Sequence, residues 1–261
     1  MKQWIMPDNP YSVINAEAPT PAPVLLLCDH ASNRIPTEYA QLGLPDSALQ
    51  QHIAFDIGTA ALARLLTQRF NCPAVLSGYS RLLIDCNRQP GDPTSIIEVS
   101  DGITVPGNQA VSDEEAAFRL ETFFWPYHYA VTQTLARLWR HGPAPAVISL
   151  HSFSRYFSGL SRPWHIGVLW NHDPRIAQPL LRWLHERHPD LVIGDNEPYS
   201  GREVGFTVDR HAGAAGLPHV ALEIRQDLIA EPADQAHWAN IIGDALEAVL
   251  SNASLHQVEH Y

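Results

Sequence analysis

Two histidines and a glutamate, His30, His151 and Glu223, each stand where a short apolar run of this 261-residue sequence ends. Short apolar runs bounded by polar or turn residues are typical of buried strands. If the three runs are strands of one sheet, these side chains share its carboxyl edge, where α/β sheets place their ligands. Two histidines and a carboxylate from separate strands suit a catalytic zinc, which takes about three protein ligands and keeps a position for water. A carboxylate outside the metal shell can act as a general base.

Each of these residues also has an ordinary structural explanation. The chain contains 14 histidines, so many of them must be simple hydrogen-bonded side chains, and His30 or His151 taken alone fits that role. Glu223 could form a buried ion pair with Arg225, because the two residues flank Ile224 and would share one face of a strand. The joint placement at strand ends favours a site, and we expect Glu223 to belong to it.

The chain alternates between strand-like and helix-like segments. Apolar runs predict strands at residues 24–28, 74–77, 82–85, 146–150, 166–170 and 220–224. Helical patterns occur at residues 57–70, 113–140, 175–186 and 234–252. The second helix is preceded by the capping-box spacing Ser112 to Glu115.

This order predicts an α/β fold with three layers, in which a mixed, mostly parallel central sheet carries helices on both faces. No linker or internal repeat divides the chain, so we expect a single domain over residues 1–261. Residues 87–108 and 194–205 are rich in Pro, Asn and Gly, and we expect them to form two long functional loops.

Composition limits the partners of the protein. The chain has 17 Lys and Arg residues against 28 Asp and Glu residues, a formal net charge of −11, and no basic cluster. Because phosphate neutralisation needs a basic face, we expect neither nucleic acid nor an anionic membrane as a partner. The N-terminus lacks the apolar segment of a signal peptide, and no apolar run is long enough to span a membrane. The three cysteines show no C-x-x-C spacing, which predicts reduced thiols and a cytoplasmic protein.

Six short motifs follow one another between residues 29 and 225. They are DHASNRIP (29–36), FDIGT (55–59), SRLLIDCNR (80–88), LHS (150–152), DNEPYSG (195–201) and LEIR (222–225). Together they resemble the N-formylglutamate amidohydrolase family, a branch of zinc hydrolases whose fold is similar to that of the zinc carboxypeptidases. The resemblance implies a phosphorylase/hydrolase-like α/β fold and metal-dependent hydrolysis of an amide.

The resemblance also implies one zinc ion, or another divalent metal, held by His30 and His151. Carboxypeptidases have the spacing His-x-x-Glu, whereas this sequence has His30-x-x-Asn33, and a neutral amide is a poorer zinc ligand than a carboxylate. Asp56, at the start of a predicted helix, can supply the anionic oxygen, although it could equally cap that helix. We therefore prefer Asp56 as the third ligand and keep Asn33 as the alternative, with a role near the substrate.

By the same resemblance, Glu223 takes the place of the general base, and Asn87 and Arg88 hold a substrate carboxylate. The chemistry agrees, because a planar guanidinium binds a carboxylate through two hydrogen bonds while a neutral amide adds orientation. The resemblance likewise places Arg81 where it can polarise the scissile carbonyl or hold a second carboxylate.

The resemblance thus implies hydrolysis of N-formyl-L-glutamate, or of a similar N-acylated acidic amino acid, to formate and L-glutamate. The partner would be a small anionic N-acyl amino acid. Two alternatives stay open: a related zinc hydrolase of another N-acyl amino acid, peptide or cell-wall fragment, and a relative that binds a carboxylate without hydrolysis. The sequence indicates no oligomeric state.

Overall fold

A computed structural model describes residues 9–17, 22–140 and 142–261 of the chain. Residues 1–8, where the sequence predicts no signal peptide, lie outside the described residues. The strands in chain order are β1 (Tyr11–Ile14), β2 (Val24–Cys28), β3 (Ala74–Ser77), β4 (Val99–Ser100), β5 (Ile103–Thr104), β6 (Ala146–Phe153), β7 (Tyr156–Phe157), β8 (Leu160–Ser161), β9 (Ile166–Leu169), β10 (Ile193–Asp195) and β11 (His219–Arg225). The α-helices are α1 (Asp46–Leu49), α2 (Thr59–Phe70), α3 (Asp113–Arg119), α4 (Trp125–Trp139), α5 (Ala177–Arg187), α6 (Phe206–His211) and α7 (Pro232–Leu250).

Seven strands form the central sheet in the order β1-β3-β2-β6-β11-β9-β10. The four inner strands β3, β2, β6 and β11 run parallel to one another. Strand β1 is antiparallel to β3. Strand β9 is antiparallel to β11, and β10 is parallel to β9. The predicted mixed, mostly parallel sheet is therefore confirmed, and β4–β5 and β7–β8 form two separate hairpins.

The strands are apolar on both sides because helices cover both faces of the sheet. Leu26, Ile148 and Leu222 belong to one buried cluster with side chains of α2, α5 and α7. Leu25 and Val147, which point the opposite way along their strands, belong to a second cluster with side chains of α4. Helices on both faces agree with the prediction from the sequence.

The long predicted helix at residues 113–140 is present but interrupted. A π-helical turn at Leu120–Phe124 separates α3 from α4, and Pro126 occupies the first turn of α4. The predicted cap is confirmed at the start of α3, where the Ser112 hydroxyl accepts a hydrogen bond of 3.2 Å from the backbone N–H of Glu115.

The predicted strand at residues 82–85 is wrong, because this apolar segment forms turns. Two of its carbonyl groups are paired with side chains and not with a neighbouring strand. The side-chain amide of Asn108 donates to the carbonyl of Leu82 at 2.8 Å, and the guanidinium of Arg119 donates to that of Leu83 at 3.0 Å. Side-chain donors can satisfy buried backbone carbonyls as well as the hydrogen bonds of a neighbouring strand do. An apolar run in the sequence does not distinguish a segment of the first kind from a strand.

Among the helices of the described residues, none combines the length and the apolar character needed to cross a membrane.

Candidate active site

The parallel register of the sheet places the predicted site residues together. His151 of β6 lies directly beside Glu223 of β11, and β2 delivers His30 two residues beyond its last residue. His151 and Glu223 point to the face that carries α4, at the carboxyl edge of the inner strands. Asp56 precedes α2, and its backbone N–H donates to the carbonyl of His30 at 2.9 Å, which ties the two loops to each other.

His30, Asp56 and His151 form a buried cluster whose ligand atoms all lie within 4.8 Å of one another. One carboxylate oxygen, Oδ2 of Asp56, lies 3.1 Å from Nδ1 of His30 and 2.9 Å from Nδ1 of His151. The side chain of Asp56 therefore faces the two histidines and does not cap α2. The backbone N–H of Ser152 also donates to the same oxygen, at 3.3 Å.

The other nitrogen of each imidazole contacts a further carboxylate. Nε2 of His30 lies 2.7 Å from Oδ1 of Asp85, and Nε2 of His151 lies 3.1 Å from Oδ2 of Asp29. Arg81 donates to Oδ2 of Asp85 at 2.7 Å and to Oδ1 of Asp56 at 3.4 Å. The two rings are thereby fixed in orientation from both sides.

Electrostatics hold the three carboxylates in their ionised form. Burial opposes ionisation of Asp56, but His30 and His151 outweigh burial and lower its pKa. Burial likewise opposes ionisation of Asp85, and Arg81 and His30 lower its pKa well below the usual range. For Asp29, the hydrogen bond and charge of His151 overcome burial and lower the pKa.

The two histidines experience the converse effect. Burial and the charge of Arg81 disfavour the protonated form of His30, but Asp85 and Asp56 outweigh them, so that its pKa is raised. For His151, hydrogen bonds to Asp29 and Asp56 overcome burial and raise the pKa well above its ordinary value. The three carboxylates and two imidazoles therefore form one coupled network, in which each group favours the ionised form of its neighbours.

Glu223 is buried beside this cluster without an ion-pair partner among the described residues. Its Oε2 atom has no hydrogen-bond partner within the part of the chain that the structure describes. Burial raises its pKa to about 7, against the opposing effect of His151. A carboxyl group whose pKa lies near neutral pH is well suited to accept and return a proton.

The ion pair between Glu223 and Arg225 that the sequence allowed is not formed. The guanidinium of Arg225 pairs with Asp227 instead, with Nε to Oδ1 at 2.7 Å.

The buried Cys28 thiol contacts the Thr59 hydroxyl at 3.2 Å, and burial raises the pKa of this thiol. All three cysteines are free.

A cavity of about 200 Å³ opens over the cluster. His30, Asp56, Arg81, Asn87, Arg88, His151 and Glu223 line it, together with Asp85, Tyr199 and residues of both hairpins. The side-chain carbonyl of Asn87 accepts a hydrogen bond from the N–H of Thr207 at 3.0 Å, which fixes its amide. Arg88 forms no ion pair with any carboxylate of the described residues, whereas Arg81 is held by two.

Asn33 lies apart from the other predicted site residues. Its amide donates to the carbonyl of Leu49 at 2.9 Å, and it is not among the residues that line the cavity. The structure therefore brings Asp56, and not Asn33, to the two histidines.

Sequence analysis missed the groups that support the histidines. Asp29 and Asp85 lie inside the motifs at 29–36 and 80–88, but neither was given a role. Tyr127 and Ser149 also belong to this network, because their hydroxyls donate to Asp29 at 2.7 Å and 3.1 Å. The signal for Asp85 was its position four residues after Arg81, and the signal for Asp29 was its place directly before His30.

The donor set of the cluster fits a metal such as zinc. Imidazole nitrogens and a carboxylate oxygen are common zinc ligands, and three of them leave a position open. Ligating histidines in metal sites generally have a carboxylate or carbonyl on the second ring nitrogen, as His30 and His151 have in Asp85 and Asp29. A buried His30–Asp56–His151 group can therefore bind a metal ion.

Fold and site together define the class of protein, a mixed α/β protein with the fold of the N-formylglutamate amidohydrolases, which resembles that of the zinc carboxypeptidases. The model of the family described as N-formylglutamate amidohydrolase matches residues 22–230. The chain belongs to this family, whose name denotes hydrolysis of an amide bond.

Two solved structures are similar to this protein over most of the chain. One is a gene product from Agrobacterium tumefaciens, 34% identical in sequence with a TM-score of 0.90, and the alignment covers 95% of this chain and 97% of the other. The second is an N-formylglutamate amidohydrolase from Ralstonia eutropha JMP134, 18% identical with a TM-score of 0.64, covering 95% of this chain and 98% of that one. At 18% identity, the second structure supports the fold of this chain alone. No curated protein sequence matches this one with significance.

Proposed function

We propose that the protein is a zinc-dependent amidohydrolase that converts N-formyl-L-glutamate and water to formate and L-glutamate. The observation that carries this proposal is the buried His30–Asp56–His151 group with Glu223 beside it in the same cavity, buried and without an ion-pair partner among the described residues. Membership of the N-formylglutamate amidohydrolase family supports the substrate.

His30 and His151, through their Nδ1 atoms, and Asp56, through its carboxylate, would hold the metal. These are the atoms that converge in the cluster, while both Nε2 atoms are engaged by Asp85 and Asp29. When bound, zinc supplies Lewis-acid chemistry, because it polarises an acyl carbonyl and makes water a better nucleophile near neutral pH. The network of Asp29, Asp85 and Arg81 would keep the ligands in place through the reaction.

Glu223 would act as the general base and then as the general acid. Its carboxylate takes a proton from the attacking water and returns it to the amide nitrogen, so that the amine departs uncharged as the C–N bond breaks. A pKa near 7 allows both transfers close to neutral pH. The unpartnered Oε2 atom needs no other bond to break before it accepts that proton.

Arg88, together with Asn87, would bind the α-carboxylate of the substrate. Arg88 is the candidate because it lines the cavity and no described carboxylate pairs with it. An anionic substrate needs such a local cation, since the protein as a whole carries a formal charge of −11. Arg81 lines the same cavity and would stabilise negative charge on the acyl oxygen, although part of its charge is offset by Asp85 and Asp56.

A substrate panel tests the proposal. Formate release is measured with zinc-loaded protein on N-formyl-L-glutamate, and acid release is measured on N-acetyl- and N-succinyl-L-glutamate. We expect the highest kcat/KM with the N-formyl compound, loss of turnover in Glu223→Gln, and native turnover in the exposed control Glu186→Gln. A preference for another acyl group would mean that the natural substrate is a different N-acyl amino acid, while the proposed amide hydrolysis would stand. Zinc binding without hydrolysis of any N-acyl amino acid would contradict the proposal and favour a carboxylate-binding relative.

A further inference from the structure

Arg162 is a buried guanidinium directly behind the wall of the cavity. It follows the hairpin β7–β8, whose turn residues Ser158 and Gly159 both have positive φ, as two-residue hairpin turns that match strand twist require. The backbone N–H of Arg162 donates to the carbonyl of Arg155 at 2.8 Å, which closes the base of the hairpin. Its side chain is 7% exposed.

The charge of Arg162 has no carboxylate partner within 4.0 Å among the described residues. Its neighbours are instead neutral groups that line the cavity. Nη1 donates to the hydroxyl of Tyr199 at 2.7 Å, Nη2 lies 3.5 Å from the hydroxyl of Ser154, and the guanidinium stacks 4.6 Å from the ring centre of Phe157. An unpaired buried cation is costly, and an anionic ligand in the cavity would offset that cost.

The bond from Arg162 decides how the Tyr199 hydroxyl is oriented. A guanidinium can only donate, so the phenol oxygen is the acceptor and the phenol proton must point elsewhere. No described residue accepts that proton, and Tyr199 lines the cavity. The hydroxyl is therefore available as a donor toward the cavity, strengthened by the positive charge behind it.

The loop that carries Tyr199 is braced against the sheet. The side-chain carbonyl of Asn196 accepts hydrogen bonds from the backbone N–H groups of Trp170 at 2.9 Å and of Gly201 at 3.0 Å. A Cβ on Gly167 of β9 would overlap the carbonyl of Glu197, so the loop packs directly on the strand. The position of the Tyr199 hydroxyl is thus set by the fold.

We propose that Arg162 and Tyr199 form the site for the second carboxylate of the substrate, with Tyr199 in contact and Arg162 as the positioning residue behind it. This inference rests on the proposed function, because it explains how one cavity takes a dicarboxylic amino acid. The other cations have different tasks: Arg81 is bound by Asp56 and Asp85, and Arg88 is the anchor for the α-carboxylate. The pair would make the enzyme selective for glutamate over its neutral amide.

The test compares N-formyl-L-glutamate with N-formyl-L-glutamine, which has the same shape and no side-chain charge. In the native enzyme we expect a higher kcat/KM for the glutamate compound. Arg162→Met should lower this preference by about 10-fold or more, through a higher KM for the glutamate compound with little change for the glutamine compound. Arg155→Met, which removes an exposed arginine from the same hairpin, should keep the native preference.

Two further variants show whether Arg162 acts through Tyr199. Tyr199→Phe should reduce the preference in the same direction, and the double variant Arg162→Met with Tyr199→Phe should lose little more than the larger single change. If Arg162→Met does not fold, Arg162→Lys keeps the charge and loses the two-pronged donor, so it should show a smaller loss of preference. An unchanged preference in Tyr199→Phe and in a folded Arg162 variant would overturn the inference.

A binding measurement separates this inference from the proposed function. Calorimetry with glutarate and with butyrate needs no turnover. Tighter binding of glutarate that disappears in Arg162→Met supports the carboxylate site, even if no N-formyl amino acid is hydrolysed. Hydrolysis of N-formyl-L-glutamate with equal glutarate binding in native protein and in Arg162→Met would contradict the inference and leave the proposed function intact.

Discussion

The two walls of the cavity differ in how their charges are compensated. On the wall formed by His30, Asp56, His151 and Asp85, every ring nitrogen has a carboxylate and every carboxylate oxygen has a donor. The second wall is made by Glu223, which lies beside His151, by Arg88 on the lining, and by Arg162 directly behind it. Here Oε2 of Glu223 has no hydrogen-bond partner, and neither guanidinium forms an ion pair, in the described part of the chain.

This difference separates two uses of buried charge. A fully paired network resists motion, so it can hold ligand atoms in a fixed arrangement before a metal arrives. Unpaired groups cost stability in the free protein and gain their partners only from water and substrate. The paired wall is therefore the candidate metal site, and the unpaired wall is where we expect binding and proton transfer.

The largest effect is expected at Glu223. Glu223→Gln keeps the shape of the side chain and removes the base, so kcat should fall by about 10²–10⁴-fold. Because the native carboxyl group is buried and its Oε2 has no partner within the described residues, the melting temperature of the metal-free variant should equal or exceed that of the native protein. Steady-state kinetics and calorimetry check both results. A large loss of stability would show that Glu223 belongs to the paired wall.

Arg88 should affect substrate binding more than turnover. Arg88→Met removes the proposed α-carboxylate anchor, and KM for N-formyl-L-glutamate should rise by about 10- to 100-fold with a smaller change in kcat. Arg64→Met, in an exposed position on α2, is the matched control. If KM rises no more than in the control, the anchor for the α-carboxylate lies elsewhere in the cavity.

Asp85 tests the paired wall. Asp85→Asn weakens the contacts with His30 and Arg81, so zinc affinity should fall by roughly 10- to 100-fold, as is usual for groups that orient a metal ligand. Competition with a chelator measures this change, and Asp190→Asn on the surface is the control. Equal zinc affinity in both variants would show that the network does not support the ligands.

The smallest effect concerns pH and a histidine pair outside the cavity wall. Nδ1 of His128 lies 2.8 Å from Nε2 of His211, and burial lowers the pKa of each to about 4. The folded protein therefore favours the neutral rings, and their contribution to stability is complete above the unfolded value of about 6.5 and is lost as the pH falls toward 4.

His211→Gln should consequently lose less stability than the native protein between pH 7 and pH 5, by a few degrees in melting temperature. The exposed His237→Gln is the control and should follow the native curve. Parallel curves for all three proteins would contradict a neutral pair.

The placement of the strand-end residues was predictable from the sequence, because the carboxyl ends of parallel strands lie next to one another at one edge of the sheet. His30, His151 and Glu223 each follow or end an apolar run, and the register of β6 and β11 places two of them side by side. The sheet type and the helices on both faces followed from the same alternation. The antiparallel direction of β9 was not predictable, since an apolar run has no direction.

The supporting residues could not be predicted because their roles depend on contacts distant in sequence. The sequence pattern at 82–85 predicts a strand, yet Asn108 and Arg119 donate to the carbonyls of Leu82 and Leu83. The resulting turn brings Asp85 to His30. Likewise, nothing in the sequence shows that Arg162 has no carboxylate partner among the residues that the structure describes. Pairing is a property of three-dimensional neighbours.

Metal content tests the central claim most directly. Purified protein, incubated with zinc and freed of excess ion, is analysed by inductively coupled plasma mass spectrometry beside His151→Ala, and formate release from N-formyl-L-glutamate is measured on the same samples. We predict about one zinc per chain with formate release in the native protein, and loss of both in the variant. Native protein that binds no zinc, or a variant that keeps it, would contradict the account.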